Sequence, residues 1–149
     1  MNNKIIIVNG PNLNLLGERE QSQYGSTSFE QLKEHCSKKG QEIGLDVEFS
    51  QSNIEGELVN IIQDARKEFD GMIINAAGFT HTSVAIRDSL DLFKKPIIEL
   101  HLSNIYKREE FRHKSLISGV VTGGIFGLGI EGYILAIISL QKSLQNEYR

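Results

Sequence analysis

The stretch Lys4-Ile5-Ile6-Ile7-Val8-Asn9-Gly10-Pro11 decides the fold. Its β-branched residues run on without polar alternation, the pattern of a strand buried on both faces in a parallel sheet. Gly10-Pro11 ends it at once. From Ser28 the spacing becomes helical, with Phe29, Leu32, Cys36 and Ile43 apolar, Gln31 placed to complete a capping box, and Gly40 and Gly44 near the end. The alternation then repeats: a strand over 46–50, a helix over 55–69, a strand over 71–75, a helix over 83–93, and a strand over 97–101 opened by Pro96. A fifth strand is expected over 119–122, followed by a Gly-rich turn and a final helix over 128–145. Five βα units predict an α/β, flavodoxin-like three-layer fold, a five-stranded parallel sheet with helices on both faces, as one domain over residues 1–149. In such sheets ligands bind beyond the carboxyl ends of the strands.

With 149 residues, 40% hydrophobic and 23% charged, the chain can bury one full core. A net charge of −3 argues against sequence-independent binding to a nucleic-acid backbone. The single cysteine, Cys36, has no partner for an internal disulfide, which suits a reducing compartment, and its helical apolar position makes it an inert core thiol. No apolar run approaches the roughly 20 residues that span a bilayer, and the first is too short for a signal peptide. A soluble, cytoplasmic protein that touches neither membrane nor nucleic acid is expected.

The strand ends carry the chemistry. After the first strand come Asn9, Asn12 and Asn14, then GEREQSQYGS at 17–26, long for a connection that is usually roughly 4–6 residues. Tyr24 has a free phenol pKa of roughly 10, so it acts as a base near neutrality only beside a stabilising cation. Arg19, five positions earlier, could supply one, while composition alone favours a solvated loop for the pair. After the third strand come Asn75, Gly78, Thr80 and His81. The fourth ends at His101, an imidazole able to gain or lose a proton under working conditions, with Glu99 two residues earlier on the same side of the strand. A carboxylate inside an apolar strand is costly to bury without a partner, which favours a site over an incidental edge charge. Arg112 follows closely, suited to gripping a carboxylate with both arms of its guanidinium. His81, His101, His113 and Glu99 lack tight metal-ligand spacing, so no metal is expected. Gly123-Gly124-Ile125-Phe126-Gly127-Leu128-Gly129 lacks the Lys-Ser/Thr of a phosphate-binding loop.

Five ordered blocks carry a family resemblance. They are Asn9-Gly10-Pro11-Asn12-Leu13-Asn14-Leu15-Leu16-Gly17 with Arg19 and Tyr24-Gly25; Gln51-Ser52-Asn53-Ile54-Glu55-Gly56; Thr80-His81-Thr82-Ser83-Val84-Ala85-Ile86-Arg87-Asp88; Glu99-Leu100-His101-Leu102-Ser103-Asn104-Ile105; and Arg108-Glu109-Glu110-Phe111-Arg112-His113. Together they resemble type II 3-dehydroquinate dehydratase over essentially the whole chain. The resemblance implies a shikimate-pathway lyase that eliminates water from 3-dehydroquinate in the anti sense, through an enolate and without metal or organic cofactor. It further implies Tyr24 as base, Arg19 as the cation lowering the Tyr24 pKa, Asn12 holding a water against the enolate oxygen, and His101 as general acid oriented by Glu99. Asn75, His81 and Arg112 would bind substrate hydroxyls, and the backbone amides of Leu102 and Ser103 its carboxylate. Asp88 would reach a neighbouring subunit's site in a homododecamer, a tetramer of trimers. The chain departs from the family pattern at Gln21, where proline is usual, at Asn75-Ala76-Ala77-Gly78-Phe79, and at Tyr106, where histidine is common. The rival reading is a flavodoxin-like module whose loops hold a flavin phosphate.

Overall fold

The computed structural model describes residues 2–18, 22 and 25–145. Five parallel strands, β1 (Asn3–Asn9), β2 (Leu45–Gln51), β3 (Gly71–Asn75), β4 (Ile97–His101) and β5 (Gly123–Phe126), form one sheet in the order β2-β1-β3-β4-β5. This is the flavodoxin-like order, and its direction switches between β1 and β3. Among the described residues four α-helices cover it: α1 (Phe29–Ile43), α2 (Glu55–Glu68), α3 (Val84–Leu92) and α4 (Glu131–Leu144).

Strand alternation divides the interior into two cores. Ile5 and Ile7 of β1, Ile73 of β3, and Ile98 and Leu100 of β4 pack against Leu32 and Cys36 of α1 and Tyr133, Ile137 and Leu140 of α4. Ile6 and Val8, Met72 and Ile74, and Ile97 face the other way, against Leu58 and Ile62 of α2 and Ile86 and Leu90 of α3. The apolar β1 run is thus shared between both cores. Each fully buried isoleucine contributes roughly 1.5–3 kcal/mol, which anchors the strand ends that must carry polar groups.

Helix starts follow the expected chemistry. Ser28 caps α1: its hydroxyl accepts from the Gln31 amide at 3.1 Å while the Gln31 side chain accepts from the Ser28 amide at 2.9 Å. Gly44 ends α1 at φ 82°, a left-handed cap. Ser83 caps α3 through the Ile86 amide at 2.9 Å.

The fifth strand lies further along than 119–122. Residues Ser118–Val120 form a 3-10 turn, and β5 pairs through Ile98↔Gly123, Glu99↔Gly124, Leu100↔Ile125 and His101↔Phe126. Val120 and Val121 instead pack on the α2/α3 core, which overrides their strand propensity. A side chain at Gly124 would stand 3.3 Å from the Glu99 carbonyl oxygen, so glycine here serves close strand contact rather than a turn. The final helix is correspondingly shorter than expected at its start, beginning at Glu131.

Candidate active site

A cavity of about 160 Å³ opens at the carboxyl ends of β1, β3 and β4, at the switch point of the sheet. Asn12 and Ala77, the two non-glycine residues with positive φ among those described, at 72° and 52°, both line it. Such backbone is disfavoured for side chains and collects where a site demands it. The Asn12 loop is pinned: Gly10 N–H donates to the Asn75 carbonyl at 2.8 Å and Asn12 N–H to Asn53 Oδ1 at 2.9 Å. A Cβ on Gly10 would meet the Ala76 carbonyl oxygen at 2.5 Å, so only glycine lets these two loops approach.

His101 and Glu99, both buried, form the centre of the wall contributed by β4. His101 Nε2 lies 2.6 Å from Glu99 Oε2. Ser115 donates to the same Oε2 at 2.9 Å, and Ser118 donates to Oε1. Burial works to raise the Glu99 pKa, but the hydrogen bonds from His101, Ser118 and Ser115 outweigh it and hold the carboxyl below its ordinary value. An ionised carboxylate only accepts, so Nε2 carries a hydrogen. Nδ1 is then the nitrogen of His101 left to exchange a proton with a ligand.

His81, from the turn after β3, stacks on His101 with ring centroids 6.2 Å apart and planes inclined by 22°. Its Nδ1 donates to the Lys114 carbonyl at 2.8 Å, leaving Nε2 as an acceptor. Burial lowers its pKa, and the charges of His101 and Arg112 act in the same direction, which favours a neutral ring. Asn75 is oriented from beneath. Its Nδ2 donates to Tyr133 Oη at 3.0 Å and its Oδ1 accepts from the Ala77 amide at 3.2 Å. Tyr133 in turn donates to Asn9 Oδ1 at 2.6 Å, and Asn9 Nδ2 to the Ser50 carbonyl at 3.0 Å. Asn9 is therefore part of the floor rather than of the rim.

Arg108 and Arg112 bring positive charge to the far side of the cavity. Arg112 grips Glu109 with Nε at 2.9 Å and Nη2 at 3.5 Å, which lowers the Glu109 pKa. Glu109 is exposed, so exchange of this pair for an anionic ligand is inexpensive. Arg108 reaches Ser103 Oγ at 3.3 Å.

Of the residues expected from sequence, Asn12, Asn75, His81, His101, Leu102, Ser103 and Arg112 line one cavity, with Glu99 directly behind His101. Asp88 is exposed on α3 and does not line the cavity of its own chain. Arg19, Gln21 and Tyr24 lie outside the described residues. Four contributors escaped the sequence reading: Arg108, named only within a family block and given no role, and Ser115, Ser118 and Tyr133, whose partners are far off in the chain. Among the described residues no cluster of three His, Cys, Asp or Glu side chains could hold a metal ion. No described helix is long and apolar enough to cross a membrane.

The chain is similar to known proteins in both sequence and fold. Residues 3–141 match the family Dehydroquinase class II. The chain is 48% identical over 145 residues to the 3-dehydroquinate dehydratase of Clostridium perfringens strain SM101, covering 97% of this chain and 99% of that protein. It is 50% identical over 142 residues to the 3-dehydroquinate dehydratase of Caldicellulosiruptor bescii, covering 95% and 98%. The crystal structure of type II dehydroquinase from Propionibacterium acnes superposes with a TM-score of 0.92 at 43% identity, over 95% of this chain and 98% of that one. With the family match, the sequence identities and the superposition of the fold in agreement, the chain belongs to the class II dehydroquinase family.

Proposed function

We propose that this protein dehydrates 3-dehydroquinate to 3-dehydroshikimate, a shikimate-pathway step, with His101 as the general acid. The observation that carries this reading is the buried His101–Glu99 pair at 2.6 Å on the cavity wall, which leaves Nδ1 to handle the proton. Following the resemblance, Tyr24 as phenolate, stabilised by Arg19, removes the axial C2 proton. The C2–H electron pair moves into the C2–C3 bond and the C3 carbonyl becomes an enolate, whose oxygen is stabilised by a water held by Asn12. The enolate collapses: the C1–C2 double bond forms, the C1–O bond breaks, and Nδ1–H of the His101 imidazolium protonates the departing hydroxyl as water. Glu99, ionised and accepting from Nε2, stabilises the imidazolium that this step consumes. Solvent proton exchange restores phenolate and imidazolium.

Asn75, His81 and Arg112 are assigned to substrate hydroxyls, and the amides of Leu102 and Ser103 to the carboxylate, where Arg108 and Arg112 add positive charge. Asp88 is assigned to a neighbouring subunit's site within a homododecamer built as a tetramer of trimers, with the protein working in the cytoplasm. A cavity of about 160 Å³ is small beside the roughly 300–1,000 Å³ of typical drug- and cofactor-sized sites, which favours a compact hydroxy acid over the rival flavin. After exhaustive chelation, the purified protein given 3-dehydroquinate should produce the ultraviolet absorbance of the enone. A flat trace sinks the proposal, and a yellow protein with a flavin spectrum supports the rival.

A further inference from the structure

We propose that Ser118 and Ser115 are positioning residues of the general acid, holding the Glu99 carboxylate so that its Oε2 faces His101 Nε2. The inference rests on the reading of His101 as the acid and extends it to a loop that the catalytic assignments leave out.

The hydrogen positions follow from counting donors and acceptors. Ser115 Oγ accepts from the Ile117 amide at 3.2 Å and from the Ser118 amide at 3.1 Å, so its two lone-pair positions are occupied by its own loop. Its single hydroxyl hydrogen is directed to Glu99 Oε2 at 2.9 Å. Ser118 Oγ donates to the other oxygen, Oε1. Glu99 thus receives three donors, two from the loop and one from His101, and a carboxylate that turned away would leave the N–H of the buried His101 imidazole unpaired. The orientation passes from backbone amides through Ser115 to the carboxylate and on to the ring.

The loop is itself braced. Arg87 of α3 donates from Nη1 to the Leu116 carbonyl at 2.6 Å, Leu116 N–H donates to the Thr80 carbonyl at 2.8 Å, and Ile117 is fully buried in the α2/α3 core. The seryl hydroxyls are therefore presented by a fixed backbone. Among the described residues, the charged and titratable groups around the pair are His81, stacked on His101, Arg108 and Arg112 across the cavity, Arg87 behind the loop, and Tyr106, which lines the opening shared by Glu99, His101, Ser115 and Ser118. From the sheet, Ile74 of β3 and Gly124 of β5 flank Glu99 and carry no charge. Substituting Ser118 removes none of these groups.

The test compares wild type, Ser118→Ala and Ser118→Thr. Ser118 is the cleaner probe, because Ser115→Ala also removes the acceptor for two loop amides. With one donor fewer the Glu99 carboxylate protonates more readily. In Ser118→Ala the alkaline limb of the kcat profile, where the His101 imidazolium is lost, should move up by about one pH unit because the more basic carboxylate holds the imidazolium proton more tightly, kcat at neutral pH should fall about tenfold, and KM should stay within twofold. Ser118→Thr, which keeps the hydroxyl, should restore both. Titration of the His101 imidazole by NMR in the same variants reads the coupling without turnover and should show the same upward displacement. An unmoved alkaline limb and an unmoved imidazole titration in Ser118→Ala overturn the proposal, as does equal impairment in Ala and Thr variants with wild-type pH profiles. If wild type fails to dehydrate 3-dehydroquinate, the functional reading fails instead, and the NMR comparison still decides whether the serine governs the pair.

Discussion

Tyr133 Oη donates to Asn9 Oδ1 at 2.6 Å across 124 residues of sequence, and the same oxygen accepts from Asn75 Nδ2 at 3.0 Å. The largest fully buried side chain of the core is thereby also the support of the cavity floor. Burial raises the Tyr133 pKa, so the phenol stays protonated and keeps donating. Tyr133→Phe should lower the unfolding free energy by about 1–3 kcal/mol, because Asn9 Oδ1 loses its donor in a dry site. The Asn75 amide is then free to turn, and KM should rise several-fold with a smaller change in kcat. Urea unfolding and steady-state kinetics check both, and wild-type stability would show that the network is energetically idle.

Glu99→Gln keeps the shape of the side chain and removes its charge. It also places an amide N–H₂ where hydroxyls or the imidazole now donate. We expect kcat to fall by about 10²-fold and KM to change much less, since the loss falls on proton transfer rather than on binding. A variant with half the wild-type kcat would remove Glu99 from the mechanism.

Tyr24→Phe should abolish turnover while calorimetry still detects substrate binding. Substantial residual turnover would reassign the base. Arg19→Ala should retain the phenol yet shift the acid limb of the activity profile upward, because the cation proposed to stabilise the phenolate is gone.

Acid should destabilise the fold in two stages. His81 has a pKa lowered from 6.5 by burial, so below about pH 6.5 the unfolded chain binds a proton that the folded chain refuses. Its contribution is complete above that pH and is lost as pH falls toward the folded value. Glu99 has a pKa lowered from 4.5, so its contribution is present above about pH 4.5 and disappears as pH falls through the folded value. Thermal midpoints measured between pH 7 and pH 4 should decline, and His81→Asn should flatten the upper part of the decline. Parallel curves for the two proteins would contradict the role given to His81.

Cys36 is fully buried and its thiol is pushed up to about 12 by desolvation. A thiol reagent at neutral pH should leave the native protein unlabelled and react with the chain in denaturant. Rapid labelling of the native state would contradict the inert reading.

Much of this architecture is legible in the chain because its signals are local. The unbroken Ile5-to-Val8 run, the Ser28–Gln31 capping box and the Glu99–His101 spacing each act within a few residues, and each reappears in the structure as expected. The misplaced fifth strand is a conflict between local preference and tertiary demand. Val120 and Val121 favour a strand by type, yet they serve the α2/α3 core, while Gly123 and Gly124, poor strand formers, pair with β4, Gly124 at a position where a Cβ would crowd the Glu99 carbonyl oxygen. Ser115, Ser118 and Tyr133 were illegible for another reason. Serine is common in loops and tyrosine in cores, and only the folded chain brings them to Glu99, Asn9 and Asn75.

The alternation along β4 has a further consequence. Ile98 and Leu100 face the α1/α4 core, while Ile97, Glu99 and His101 occupy the opposite phase of the pleat. Deleting or inserting a single residue ahead of Glu99 would exchange the two phases, turning the acid pair into an apolar layer and the core residues toward the cavity. Length changes in β4 are therefore permitted by twos or not at all, so its reading frame, as much as its composition, is subject to selection.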